Sequence, residues 1–140
     1  MTPESEFFTN NFILFVALGV ILMLIVRMEI KRATRGFKDI SPAEAVQLIN
    51  KENAVIIDVR ESNELAQGSI RGSKHLALSV LKQRVDELKA YADQPVITLC
   101  KSGNRSSSAC EILKKHNFTN VMNLKGGLEG WKSANLPVVK

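Results

Sequence analysis

The stretch PVITLCKSGNRSSSACEILKKH, residues 95–116, organises the whole chain. Residues 95–100 are strongly apolar and read as a buried strand that ends on Cys100. A short polar loop with one glycine follows, and from about residue 106 to 116 the pattern becomes helical. A thiol is a poor nucleophile until it ionises, and a helix N-terminus lowers its pKa by facing it with unpaired amides. Gly103 permits the curled backbone in which successive amides point inward as an anion nest. Lys101 and Arg105 add positive charge around whatever the sulfur carries. Such a loop suits a cysteine that holds a small anionic or polarised group and passes it on.

The flanking segments place this loop in an α/β frame. AVIIDV at 54–59 is a short β-branched run that ends in an acid, a second buried strand with polar residues at its tip. Before it, Ser41-Pro42-Ala43-Glu44 is a helix start: Ser41 caps, Pro42 suits the first position and Glu44 completes a capping box. Residues 68–72 are turn-rich, 75–78 suit a brief strand, and Ser79 is expected to cap an amphipathic stretch through Val80, Leu81, Val85 and Leu88. A strand is expected at 120–124, and Gly126-Gly127 opens a last short helix that carries Trp131. Strands separated by helices imply a parallel sheet with helices on both faces, whose crevice lies beyond the carboxyl ends of the strands. The tips Asp58-Val59-Arg60 and 100–105 are expected to converge there.

The N-terminus is of another character. Residues 12–26 are 15 consecutive residues without a polar side chain, and Phe7 and Phe8 extend the stretch backwards. A span of about 7–27 is roughly 30 Å long as a helix, the thickness of a bilayer's hydrocarbon. Glu4 and Glu6 precede it with no Lys or Arg, unlike the basic start of a cleaved leader. Arg27, Lys31, Arg32, Arg35 and Lys38 follow against Glu29. The positive-inside rule therefore puts the C-terminal side in the cytoplasm and the N-terminus out. A single-pass membrane protein is the expectation, and the same basic run is drawn to anionic lipid headgroups.

Composition bounds the rest. Of the 140 residues, 45% are apolar and 24% charged, which excludes disordered, collagen-like and disulfide-scaffold classes. Two cysteines make no CxxC, and His75 with His116 builds no zinc spacing, so no metal is expected. The net charge of +5 is spread without an arginine-rich stripe interleaved with aromatics, so no nucleic-acid partner is expected.

Four motifs carry a family resemblance. Cys100-Lys101-Ser102-Gly103-Asn104-Arg105, followed by Ser106, resembles the Cys-x-x-Gly-x-Arg active-site loop of single-domain rhodaneses. Asp58-Val59-Arg60-Glu61, with Glu64 beyond, resembles their Asp-Val-Arg-Glu segment. Gly68-Ser69-Ile70-Arg71-Gly72-Ser73 with His75-Leu76 resembles a Gly-His-Ile-x-Gly-Ala turn, and Gly126-Gly127-Leu128-Glu129-Gly130-Trp131 a closing Gly-Gly-x-x-x-Trp. The match covers about residues 37–139, and with the anchor the chain resembles bacterial membrane-anchored rhodanese-like proteins. Ser69 and Leu65 depart from the family, which often has a histidine and an aromatic residue there.

The resemblance implies a rhodanese-like domain at 37–140 with a central parallel five-stranded sheet flanked by helices. A tail and transmembrane helix at 1–28 and a basic linker at 29–36 would precede it. It implies sulfurtransfer without a cofactor: Cys100 takes a sulfane sulfur from a small donor such as thiosulfate, or from a protein persulfide, and gives it to cyanide or a protein thiol. Amides of residues 101–105 (Lys101, Ser102, Gly103, Asn104, Arg105) would cradle the outer sulfur. Lys101 and Arg105 would favour an anionic donor, Arg60 would assist binding, and Asp58 would support the site. Glu61 and Glu64 would repel such a donor if they face the loop.

Plainer readings stand beside these. Cys110 sits mid-helix beside Ala109, Ile112 and Leu113 and reads as a small core residue; His75 and Trp131 read as structural. Asp58 and Arg60 also suit a structural ion pair at the strand tip. A membrane-tethered adaptor acting by protein binding is the alternative function. A phosphatase or arsenate reductase is disfavoured because the Cys-x4-Arg loop is one residue shorter than the Cys-x5-Arg ring that encloses a phosphoryl group.

Overall fold

The computed structural model describes residues 2–140, in two compact units divided between Arg35 and Gly36. The first unit holds helices α1 (Pro3–Asn10) and α2 (Phe12–Thr34). The expected single helix over 7–27 is thus two: the chain breaks at Asn11, whose side-chain amide donates back to the Phe7 carbonyl at 2.8 Å. The expected linker at 29–36 is helical as far as Thr34, because residues 27–34 hold good helix formers and nothing that stops a helix. At 23 residues with a mean hydropathy of 2.5 over its most apolar window, α2 is long and apolar enough to cross a membrane.

The second unit contains strands β1 (Lys38–Ile40), β2 (Val55–Asp58), β3 (Lys74–His75), β4 (Pro95–Leu99) and β5 (Asn120–Leu124). Between them lie α3 (Pro42–Glu52), α4 (Leu78–Arg84), α5 (Asn104–Lys115) and α6 (Gly127–Ser133), with 3-10 turns at Ser62–Gln67 and Val85–Tyr91. All strand pairings are parallel, in the order β1-β5-β4-β2-β3. Side chains alternate across the sheet. Val96, Cys100 and Val121 face a core with Leu81, Cys110 and Leu113 of α4 and α5. Ile97, Leu99, Met122 and Leu124 face a second core with Ala45, Leu128 and Trp131 of α3 and α6.

Several local expectations hold. Ser41 and Glu44 form a reciprocal capping box, with the Glu44 amide donating to Ser41 Oγ at 3.2 Å and the Ser41 amide to Glu44 Oε2 at 2.7 Å. Trp131 is core, its indole N–H donating to the Pro137 carbonyl at 2.9 Å. Others change. Ser79 is no cap: α4 starts two residues earlier, at Leu78 after Ala77, and the Ser79 hydroxyl donates to Glu61 Oε2 at 3.3 Å. The brief strand expected at 75–78 is Lys74–His75, because residue 78 already opens α4. Helix α5 begins at Asn104 rather than about 106, since the turn needed to enter it is made at Gly103, with φ of 106°.

At the tip of β2, Arg60 is 1% exposed and forms a buried pair with Asp58. Its Nε donates to Asp58 Oδ1 at 2.9 Å and its Nη2 to Oδ2 at 2.6 Å. Nη2 also donates to the Gly68 carbonyl at 2.9 Å, and Nη1 to the Glu64 carbonyl at 3.2 Å. The pair therefore ties the strand tip to both ends of the following turn. Removing one member leaves the other charge buried and unpaired, so Arg60→Met is expected to destabilise the chain by about 3–5 kcal/mol. Urea unfolding measures this, and an unchanged midpoint would contradict the assignment.

Candidate active site

Parallel neighbours β2 and β4 end side by side, with Asp58 opposite Leu99 and the Val59 amide donating to the Leu99 carbonyl at 2.9 Å. Cys100 leaves β4 at that edge and is 1% exposed. Burial alone pushes its thiol pKa up. The Ser106 hydroxyl and the amides of Ser106, Gly103 and Ser102 oppose this and prevail, so the thiol lies below its ordinary value. The Gly103 amide donates to Sγ at 3.0 Å and Ser106 Oγ lies 3.3 Å from it. The site is a sulfur at the start of α5, ringed by donors that favour a negative charge.

The curl of the loop is held from below by α6. The amides of Leu128 and Glu129 donate to the carbonyls of Cys100 at 2.8 Å and Lys101 at 3.1 Å. This close approach depends on Gly127, where φ is 57° and an added Cβ would stand 2.4 Å from the Cys100 carbonyl oxygen. With the carbonyls turned toward α6, the amides of the loop are left to face the sulfur.

The charged side chains are arranged differently from expectation. Arg105 is half-buried and donates from Nη1 and Nη2 to the two carboxylate oxygens of Glu64, both at 2.7 Å. Glu64 does face the loop, and it pairs with the cation. Hydrogen bonding from Arg105 draws the Glu64 pKa down to about 2 against an opposing effect of burial, and Glu64 in turn raises that of Arg105. Glu64 Oε2 also accepts from the Glu61 amide at 2.9 Å. Lys101 is exposed, 3.8 Å from Glu129. Arg60, expected among the substrate-binding residues, lies instead within the buried Asp58 pair with its donors engaged by the protein, which leaves Asp58 and Arg60 a structural role. Ser102 and Asn104 are exposed on the loop, whereas Gly103 is buried. His75 Nε2 bonds the Arg60 carbonyl at 2.7 Å. Cys110 is buried 2.9 Å from Thr98 Oγ1, in the core.

Two polar residues that sequence reasoning passed over lie against the loop. Ser106 and Asn123 are both buried, with Ser106 Oγ 2.6 Å from Asn123 Oδ1. Asn123 Nδ2 donates to Asp39 Oδ1 at 3.0 Å and to the Gly103 carbonyl at 3.2 Å. The sequence signal for Asn123 is a polar residue between Met122 and Leu124 in the buried part of β5, where the other polar residue, Asn120, is exposed. Among the described residues no three His, Cys, Asp or Glu side chains gather as a metal-holding group.

Comparison with known proteins agrees with this geometry. The model of the rhodanese-like domain family matches residues 41–134. The uncharacterized protein YibN of Escherichia coli is 36% identical across the whole of this chain and 99% of its own. Thiosulfate sulfurtransferase GlpE of Pseudomonas putida is 35% identical over 97 residues, which cover 69% of this chain and 86% of that protein. A crystal structure of a rhodanese-related protein from Thermoplasma volcanium superposes with a TM-score of 0.66 at 31% identity, over 73% of this chain and 97% of that one.

Two outcomes test the site's construction. Gly127→Ala combines an unfavourable positive φ with a clash against backbone, for an expected loss of about 3 kcal/mol and a distorted loop; stability and Cys100 alkylation kinetics that match wild type would contradict the buttress. Because the folded Glu64 pKa is depressed, its contribution is present above pH 4.5 and lost as pH falls toward about 2. Acid titration of the urea midpoint should show wild type losing up to about 1 kcal/mol relative to Glu64→Gln over that window. Parallel acid profiles would show that the ion pair adds nothing.

Proposed function

Because the chain belongs to the rhodanese-like domain family, we propose that it is a membrane-anchored sulfurtransferase that carries sulfane sulfur as a persulfide on Cys100. The observation that carries the reading is the Cys100 sulfur itself, buried yet held below its ordinary pKa by amides and a hydroxyl. The identity with thiosulfate sulfurtransferases supports the same reaction class.

In the first half-reaction the Cys100 thiolate attacks the outer sulfur of a thiosulfate-like or persulfide donor. The donor's S–S bond breaks, its leaving group (sulfite, from thiosulfate) departs with the bonding pair, and Cys100 keeps one extra sulfur atom. In the second, a thiophilic acceptor such as cyanide or a protein thiolate attacks that outer sulfur, and the Cys100 thiolate returns. With Cys100 1% exposed, a narrow terminal sulfur presented end-on suits the opening better than a broad group. The loop amides supply hydrogen bonds to whichever sulfur carries charge, and Arg105, braced by Glu64, borders the approach. The six-residue loop suits one sulfur atom better than a phosphoryl group.

The anchor in this reading is α2, which at 23 residues is about 34 Å long. By the positive-inside rule the basic residues 27–38 support an orientation with the catalytic unit on the cytoplasmic side of a bacterial inner membrane. Reducing conditions there keep Cys100 and Cys110 as free thiols.

Intact mass after exposure of the full chain to thiosulfate tests the chemistry. A gain of about 32 Da that cyanide removes is expected in wild type and Cys110→Ser and absent in Cys100→Ser. Equal loss from both substitutions would contradict a single carrier. No gain with thiosulfate or a small persulfide, with the protein folded and Cys100 reduced, would favour the adaptor. For orientation, a reporter active only in the periplasm and fused at Lys140 should stay silent; activity would reverse the topology.

A further inference from the structure

The Ser106 hydroxyl has one proton and two acceptors within reach, Cys100 Sγ at 3.3 Å and Asn123 Oδ1 at 2.6 Å. The orientation of Asn123 is fixed by its other end. Its Nδ2 faces two acceptors, Asp39 Oδ1 and the Gly103 carbonyl, so turning the amide over would set oxygen against oxygen at 3.0 and 3.2 Å. Oδ1 therefore points at Ser106 as a permanent acceptor. Register enforces the geometry, since Asp39 of β1 and Thr98 of β4 are the strand partners of Asn123 on either side.

This arrangement treats the two protonation states of Cys100 unequally. As a thiol, Cys100 can donate S–H to Ser106 Oγ while Ser106 donates to Asn123, and each acceptor is satisfied. As a thiolate, Cys100 has no proton to give. The hydroxyl must then turn to the sulfur and abandon Asn123 Oδ1, or stay and present its lone pairs to the negative sulfur. Stranding a buried acceptor and aiming lone pairs at an anion both cost free energy, so Asn123 weakens the support that Ser106 gives the thiolate.

We propose that Asn123, held by Asp39, is a positioning residue that competes with Cys100 for the Ser106 hydroxyl proton and thereby restrains ionisation of the resting thiol. In the sulfurtransferase reading, on which only this consequence rests, the inner sulfur of a loaded Cys100 is neutral and requires no donor. Ser106 then stays with Asn123, and the relay favours the loaded form over the bare thiolate.

Charged groups also sit on the loop and on the elements packed beside it. They are Lys101 and Arg105 of its own loop, Glu61 and Glu64 of the 3-10 turn, Glu129 of α6, Asp39 of β1 and the mutually neutralised Asp58–Arg60 pair of β2. Substitutions at Asn123 and Ser106 leave all of these charges in place, so a change in the thiol's titration reports the hydroxyl proton.

The test is the pH dependence of Cys100 alkylation by iodoacetamide in the full chain, read by mass, which needs no sulfur transfer. Asn123→Leu removes the competing acceptor and should move the midpoint down by half a unit or more, about a threefold gain in thiolate below the midpoint. Ser106→Ala removes the donor and should move it up. In the Ser106→Ala background, Asn123→Leu should have a clearly smaller effect, because only the lost bonds to Asp39 and the Gly103 carbonyl remain. Asp39→Ala on the edge strand β1, which removes one of the two acceptors that orient the Asn123 amide and leaves only the Gly103 carbonyl to hold it, is the second variant should Asn123→Leu fail to fold. It should move the midpoint down in wild type and by less in the Ser106→Ala background, where only its charge effect remains. An unchanged or raised midpoint in Asn123→Leu, or equal shifts with and without Ser106, would overturn the proposal. Failure of wild type to take up sulfur while these shifts appear would count against the sulfurtransferase reading and leave the proton competition standing.

Discussion

A buried sulfur resists carrying charge, and the C-terminal edge of this sheet is built around that resistance. Cys100 is 1% exposed, so without help its thiol would ionise less readily than a cysteine in water. Help comes from backbone amides that the start of α5 leaves unpaired and from one hydroxyl. Those amides face the sulfur only while the loop stays curled. The curl in turn needs carbonyls turned the other way, toward the N-terminus of α6, where Gly127 permits an approach that a side chain would forbid. The Gly126-Gly127 pair is therefore part of the support of the Cys100 loop although it lies more than twenty residues beyond Cys100 in the chain.

Electrostatics at the rim follow the same economy. Two ion pairs lie close together, one closed and one open. Asp58–Arg60 is sealed beneath the turn that follows β2 and fixes that turn through the carbonyls of Glu64 and Gly68. Glu64, positioned by this turn, reaches out to the half-buried Arg105 on the loop. The inner pair thus sets the place from which the outer pair holds Arg105. The positive side chain on the loop is thereby kept in one orientation, with its charge partly offset.

Much of this was legible because the signals are local. The capping box at Ser41 and Glu44, the strand ending in Cys100 and the glycine pair before α6 each follow from short-range chemistry. Strand β1 was not identified as a strand from its own residues: three residues supply too little alternation, and they are ordered by pairing with β5. The break at Asn11 falls in the polar run Thr9-Asn10-Asn11, which is bridged when Phe7 and Phe8 are counted with residues 12–26 as one span. A strand-tip arginine reads the same whether it faces outward or folds back on Asp58, so the sequence leaves Arg60 both substrate contact and a structural ion pair, and the packing of the turn after β2 puts it in the pair. Ser106 and Asn123, 17 residues apart, meet only through the packing of α5 against β5, which no motif spacing reveals.

The central claim is that the fold makes Cys100 an ionisable, reactive sulfur despite its burial. Thiolate absorbance in the ultraviolet, followed through a pH titration of the folded full chain, measures this directly. The account predicts one titration step below the ordinary cysteine range in wild type and in Cys110→Ser, and its disappearance in Cys100→Ser. A first step at or above the ordinary cysteine range, or a low step that survives in Cys100→Ser, would contradict it.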